Sequence, residues 1–150
     1  MDTLEDALPE RRIDQLLAHY GESHQHAVNE RIHFIAIPLI MLSLIGLIFS
    51  IHPWLAYAFM AASMVYYARL SGVFLMAMGL WTVLLLALVH AMGEARLPLC
   101  IAIFVFAWVL QFIGHKLEGK KPSFFEDVQF LWVGPLFVLR PLLQKFNVAW

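Results

Sequence analysis

Four apolar runs, at about residues 32–51, 53–68, 73–92 and 97–114, leave this 150-residue chain few folds to adopt. A helix needs roughly 20 apolar residues to cross a bilayer, and somewhat fewer suffice when the ends are anchored. In hydrocarbon every backbone N–H and C=O must be bonded within the protein, so only helices or a closed barrel can cross. The runs are continuous rather than alternating, which predicts helices. Apolar residues make up 61% of the chain and charged residues 14%, where a soluble domain holds about half and about a quarter. The breaks between runs, His52-Pro53, "RLSG" (69–72) and "GEAR" (93–96), are short. Neighbouring spans are therefore expected to be antiparallel.

The flanks differ from this middle. Residues 1–31 are polar, and the first apolar run starts too late and continues too long for a cleavable signal. Within 9–24, Ile13, Leu16, Leu17 and Tyr20 have helical spacing behind Pro9, which predicts an amphipathic helix on the membrane surface. Residues 124–145 are apolar but interrupted by Gly134-Pro135 and Arg140-Pro141. Prolines break the helical ladder, so this tail is expected to be interfacial or re-entrant rather than a fifth span. The predicted fold is all-α: a single membrane domain over 1–150, with spans near 27–51, 53–68, 73–92 and 97–116.

The cations orient such a bundle. Arg11, Arg12, Arg31, Arg69, Lys116, Lys120, Lys121, Arg140 and Lys145 fall on one side, and only Arg96 on the other. Both termini are expected to face the cytoplasm, across the inner membrane of a bacterium or the endoplasmic reticulum of a eukaryote. The net charge of −1 and the lack of a basic patch with interleaved aromatics argue against nucleic acid as a partner. Cys100 is the only cysteine and lies inside an apolar run, so neither a disulfide framework nor a thiolate metal cluster is available.

The same topology sorts the histidines by depth. His24, His26 and His33 enter the first span at its cytoplasmic mouth, and His115 ends the fourth at that mouth. His52 and His90 fall on the far side. Imidazoles entering an apolar setting carry a cost that a bound partner would remove. Imidazole suits zinc, copper, iron and nickel. On a continuous helix each residue turns about 100°, which puts His26, Asn29 and His33 on one stripe and His24 opposite them. Helical counting thus favours His26, unless the helix begins after His24 and the preceding chain folds back. In "QFIGHKLEGKKPSF" (111–124), Gln111 and His115 share a face at i, i+4, with Glu118 three residues on, before Gly119 and Pro122 end the helix. Lys116, Lys120 and Lys121 are either substrate-carboxylate or lipid-head contacts, or ordinary membrane anchors. No HxxHH, HExxH, GxSxG or P-loop pattern is present. A bis-histidine haem held by His33 and His115 is compatible with this spacing, and zinc fits three histidines as well as iron does.

Two blocks carry a resemblance. "YGESHQHAVNERIHFIAIPLI" (20–40) reads Y-x(3)-H-x(4)-N-x(3)-H-x(4)-P. "QFIGHKLEGKKPSFFEDVQFLWVGPLFVL" (111–139) reads Q-F-x-G-H-x(2)-E-x(3)-P before a G-P-L-F-V segment. Together they resemble the small membrane family of Fe(II)-dependent 2-hydroxy fatty acid dioxygenases, the kind that serves phytosphingosine breakdown in yeast. The family pattern matches His24, Asn29, His33, Gln111, His115 and Glu118 and does not require His26. The resemblance therefore implies Fe(II) on His24, His33 and His115, with a helix beginning near Ala27. Asn29, Gln111, Glu118 and His26 would surround it. The implied substrates are a 2-hydroxy fatty acid, chelating through its hydroxyl and carboxylate, and O2. The implied product is an acid one carbon shorter, as in fatty acid alpha-oxidation. Plant and fungal relatives have one more residue between Gly-His and the glutamate. Glu118 is accordingly open to three roles: ligand, acceptor for a histidine N–H, or lysine partner. Two readings from other classes stand beside this one, a haem-binding electron-transfer bundle and a non-catalytic lipid-binding membrane protein. Tyr66, Tyr67, Phe74 and Trp108 are expected to serve packing. Substrate chain length and oligomeric state are not legible.

Overall fold

In the computed structural model, which describes residues 11–150, every regular element among the described residues is helical. The order is α1 (Arg12–Gly21), α2 (Ala27–Ile51), α3 (Pro53–Ala68), α4 (Gly72–Ala91), α5 (Arg96–Glu118) and α6 (Phe130–Lys145), with single 3-10 turns at Gly93–Ala95 and Ser123–Phe125. Each boundary has a local cause. His52 caps α3 by accepting from the Trp54 N–H, and Pro53 takes the first helical position, where its missing N–H costs nothing. Ser71 caps α4 through the Phe74 N–H. Gly119, at φ 74°, ends α5 in the left-handed conformation that glycine adopts without strain.

Within α1, Ile13, Leu17 and Tyr20 form one buried stripe, and Arg11 pairs with Asp14 at 2.8 Å. The expected start at Pro9 lies outside the described residues. α1 lies on α6, and their buried faces share one core with Tyr67, Phe74 and Met78, at the end of the bundle where α3 stops and α4 starts. A second core joins Ile45, Phe49, Ala56, Met60, Leu85 and Val89 from α2, α3 and α4.

The pairing of α2 with α5 is antiparallel and unusually close at both ends. Asn29 meets Gly114 at one end, and Gly46 meets Cys100 at the other. Small residues let helices approach where lipid offers no hydrophobic drive to association. A Cβ added at Gly46 would stand 2.2 Å from Cys100 Sγ, and one at Gly114 would stand 2.3 Å from Asn29 Oδ1.

Among the described residues, α2, α4 and the stretch Gly93–Glu118 are long and apolar enough to cross a membrane. Met76 and Leu80 are each 75% exposed and Trp54 73%. Large side chains so bare make sense where hydrocarbon is the solvent. The chain is thus built as a membrane protein. α3, expected as the fourth span, has 16 residues, which at ~1.5 Å per residue is about 24 Å and short of a ~30 Å hydrocarbon core.

Within the tail the prolines do not break the helical ladder, as they were expected to. Pro135 and Pro141 lie inside one continuous helix of 16 residues. Each removes a backbone hydrogen bond, at about 3 kcal/mol in an isolated helix. Here packing decides instead, because Val133, Gly134, Pro135, Leu136 and Phe137 are all buried against α1 and α2.

Gly46→Ala is expected to lower the melting temperature in detergent, with a stability loss of about 1–3 kcal/mol from overpacking. Adding Cys100→Ala should recover most of it, since the remaining Cβ of residue 100 stands 3.5 Å away. No rescue in the double variant would show that the glycine matters for another reason.

Candidate metal centre

The site begins with a turn. After α1 the chain keeps winding, with Ser23 N–H donating to Tyr20 O at 3.3 Å and His24 N–H to Gly21 O at 3.0 Å. α2 starts only at Ala27, and His26 caps it by accepting from the Val28 N–H through Nδ1. The helical count that favoured His26 assumed one helix through residues 24–33. The bend removes that premise. His26 ends exposed, whereas His24 folds back, is buried, and stacks flat on Tyr20 with centroids 4.2 Å apart.

Three imidazoles converge there. Ring centroids of His24 and His33 are 4.1 Å apart, His24 and His115 5.0 Å, and His33 and His115 4.9 Å, all nearly perpendicular. All three residues are buried, and each offers a ring nitrogen within 4.8 Å of the others. His24 Nδ1–H donates to Tyr20 O at 2.6 Å, and His33 Nδ1–H donates to Asn29 O at 2.8 Å. Carbonyl oxygens only accept, so both Nδ1 atoms carry the proton and both Nε2 atoms present lone pairs. Those two Nε2 atoms face each other at 2.8 Å. His115 Nδ1 is buried with no hydrogen-bond partner.

Facing lone pairs at that distance repel unless a cation sits on them. A proton is a poor candidate for His24, because burial pushes its pKa below the ordinary 6.5, with Lys120 acting the same way, against opposing pulls from the Tyr20 carbonyl and Glu118. A metal ion suits the donor set: bonds of ~2.1 Å from one ion set neighbouring imidazole nitrogens roughly 3 to 3.4 Å apart, a little wider than the 2.8 Å of this pair. A haem does not suit the geometry. His33 and His115 stand edge to face with centroids 4.9 Å apart, which leaves no gap for a porphyrin between them.

The surrounding side chains hold this arrangement. Asn29 is fully buried, and its Nδ2 donates to Ser23 O and to Glu118 Oε2, both at 3.1 Å. Glu118 also accepts the Gln25 N–H at 2.9 Å and the His26 N–H at 2.8 Å. Its carboxylate thus ties the end of α5 to the turn carrying His24 and sits at the positive N-terminus of α2. Gln111 is buried one turn from His115 with Oε1 unpartnered. Lys116, Lys120 and Lys121 line an outer mouth that reaches His115, and Lys120 Nζ donates to Glu22 O at 2.7 Å. His52 and His90 stay exposed at other helix ends, and His19 lies on the surface between Glu22 and Glu126.

An inner cavity opens on the other side of the histidines. His33 and His115 line it together with Tyr20, Trp108, Gln111 and Ser123. Trp108 Nε1 and Ser123 Oγ are buried there without partners. Trp108 was expected only to pack. Its place one turn before Gln111 on the same helix was the available signal. Tyr20 stands at the head of the first motif, while nothing in sequence pointed to Ser123.

A family model described as 2-hydroxy-palmitic acid dioxygenase Mpo1-like matches residues 11–146. The chain belongs to the Mpo1-like family. No curated protein and no solved structure matches it. In this Mpo1-like chain the match takes in all six helices and the three converging histidines. The family's name describes a dioxygenase, and the donor set, three neutral nitrogens with no thiolate, is one that could hold a metal.

Two outcomes test the geometry. Glu118→Ala strands three donors, but the site of Glu118 is partly open to water, so the expected loss is about 1–2 kcal/mol, read as a lower melting temperature. An unchanged melting temperature would mean the carboxylate does not hold the turn. His24 gives a pH effect of definite sign. Below the ordinary 6.5 the unfolded chain takes up a proton that the buried imidazole refuses, so stability present above that value is lost as pH falls toward the lowered one. Metal-free protein should melt progressively lower from pH 7 to pH 5, and His24→Asn should flatten part of that slope.

Proposed function

We propose that this Mpo1-like protein is a non-haem iron dioxygenase that shortens 2-hydroxy fatty acids by one carbon. The observation that carries the reading is the pair of bare Nε2 atoms at 2.8 Å, with His115 as a third donor beside them. His24, His33 and His115 would hold the ion. When bound, Fe(II) would supply the redox centre for O2 and open positions for the hydroxyl and carboxylate of the substrate. The balance closes without an external reductant: a 2-hydroxy acid and O2 become the shortened acid, carbon dioxide and water.

The chain's own groups prepare this chemistry. The Tyr20 and Asn29 carbonyls keep the Nδ1 protons in place and aim both Nε2 lone pairs inward. Glu118 and Asn29 hold the turn that carries His24. Tyr20 closes one wall by stacking. Lys116, Lys120 and Lys121 outnumber Glu22 and Glu126 at the outer mouth, and the surplus of positive charge would attract a carboxylate. We further propose that α3 serves as a short fourth span and that the centre and both termini face the cytoplasm. The cation asymmetry of nine against one supports this.

The test is metal analysis of anaerobically purified protein, paired with O2 uptake on 2-hydroxypalmitate. Stoichiometric iron without a Soret band, and one O2 consumed per acid, are expected. His24→Ala, His33→Ala and His115→Ala should each lose iron and turnover. His26→Ala should keep both and lose about 1 kcal/mol of stability at most, as a helix cap does. His52→Ala and His90→Ala should also keep both. Protein that binds fatty acid but takes up no metal would replace this reading with a lipid-binding one.

A further inference from the structure

The inner cavity does not stop at the histidines. A second cavity lies beyond it between α2, α3, α4 and α6, and Ile40, Met41, Leu131 and Pro135 line both. The two differ in polarity. Around the first, Trp108 Nε1, Gln111 Oε1 and Ser123 Oγ are buried without partners. Around the second, Ser63 Oγ donates to Phe59 O at 2.8 Å and accepts from Trp132 Nε1–H at 2.9 Å, and Tyr67 O–H donates to Trp132 O at 3.2 Å. Those polar groups are satisfied, and Ile45, Met60, Met64 and Met78 supply further wall, with Thr82 beside them. Unpaired polar atoms at one end and a dry apolar wall at the other match a molecule with a polar head and a hydrocarbon tail. The length matches too. From His33 to Ile45, α2 rises about 18 Å at ~1.5 Å per residue, and one acyl chain fills half of a ~30 Å hydrocarbon core, about 15 Å. Methionine walls adapt to a flexible occupant.

We propose that the two cavities form one channel for the acyl tail of the substrate, with Met41 and Leu131 at its waist and Met60 and Thr82 toward its far end. The deep cavity, rather than the histidine centre, then sets which chain lengths are accepted. This rests on the reading that a 2-hydroxy acid is held at the histidines. The orphaned atoms of Trp108, Gln111 and Ser123 meet the polar head, and the tail runs between the helices without entering lipid.

The experiment uses the full chain, iron-loaded in detergent. Thr82→Phe shortens the far end. It should lower kcat/KM for 2-hydroxypalmitate by about tenfold or more and leave 2-hydroxydecanoate within about twofold, on the scale that lost apolar contacts set. Equal loss at both lengths, or none at either, overturns the channel. A second measurement needs neither turnover nor the variant. A 2-hydroxy fatty acid with a terminal diazirine should, on illumination, label Met60, Met78 or Thr82, and excess 2-hydroxypalmitate should suppress the labelling. Labelling confined to exposed residues such as Met76 and Leu80 overturns it. Deep labelling without O2 uptake keeps the channel and removes the dioxygenase reading. O2 uptake with only surface labelling does the reverse.

Discussion

Two imidazole lone pairs held 2.8 Å apart are the constraint around which the polar half of this molecule is organised. Neither ring can turn away, because each Nδ1–H is bonded to a backbone carbonyl, one from the last turn of α1 and one from the first turn of α2. The His24 ring does not easily take a second proton in so dry a place. The strain resolves when a cation occupies the gap. The other features of the mouth read as consequences: Tyr20 stacked on one ring, Asn29 bridging to Glu118, and Glu118 reaching from α5 to the turn.

That centre exists because two helices run antiparallel and very close. Gly46 admits the Cys100 side chain and Gly114 admits the Asn29 amide, which brings the start of α2 against the end of α5. His33 and His115 thereby meet at one end of the bundle. The third histidine comes from outside this pair. α1 and α6 form a layer across the same end, and the turn leaving α1 drops His24 onto the other two. The hydrocarbon-facing helices carry polar machinery only where α2 begins and α5 ends. They provide the walls, the spacing and the apolar cavity behind the centre.

Much of this was legible in residue order. Apolar runs of the right length announced helices, and the family showed in two motif blocks that the family match later covered. Depth alone separated His33 and His115 from His52 and His90. Three things were not legible from local pattern alone. Helical counting chose His26 and only the family pattern pointed to His24, because periodicity cannot see that His26 caps a helix rather than continuing one. The prolines of α6 seemed enough to break it, because local propensity omits the packing that buries residues 133–137. Ser123 gave no sign of lining a cavity, and Trp108 gave only its place one turn before Gln111, since unsatisfied atoms are a property of surroundings.

By itself, then, the sequence determined the medium, the helices and the end of the bundle where chemistry gathers. Those follow from hydropathy, run length and charge, which are additive along a chain. The tertiary structure decided which histidine turns inward, what Glu118 holds, and that cavities lie behind the histidines between the helices. Those depend on bends, close approaches and gaps between elements far apart in sequence, and no count along one strand of residues contains them.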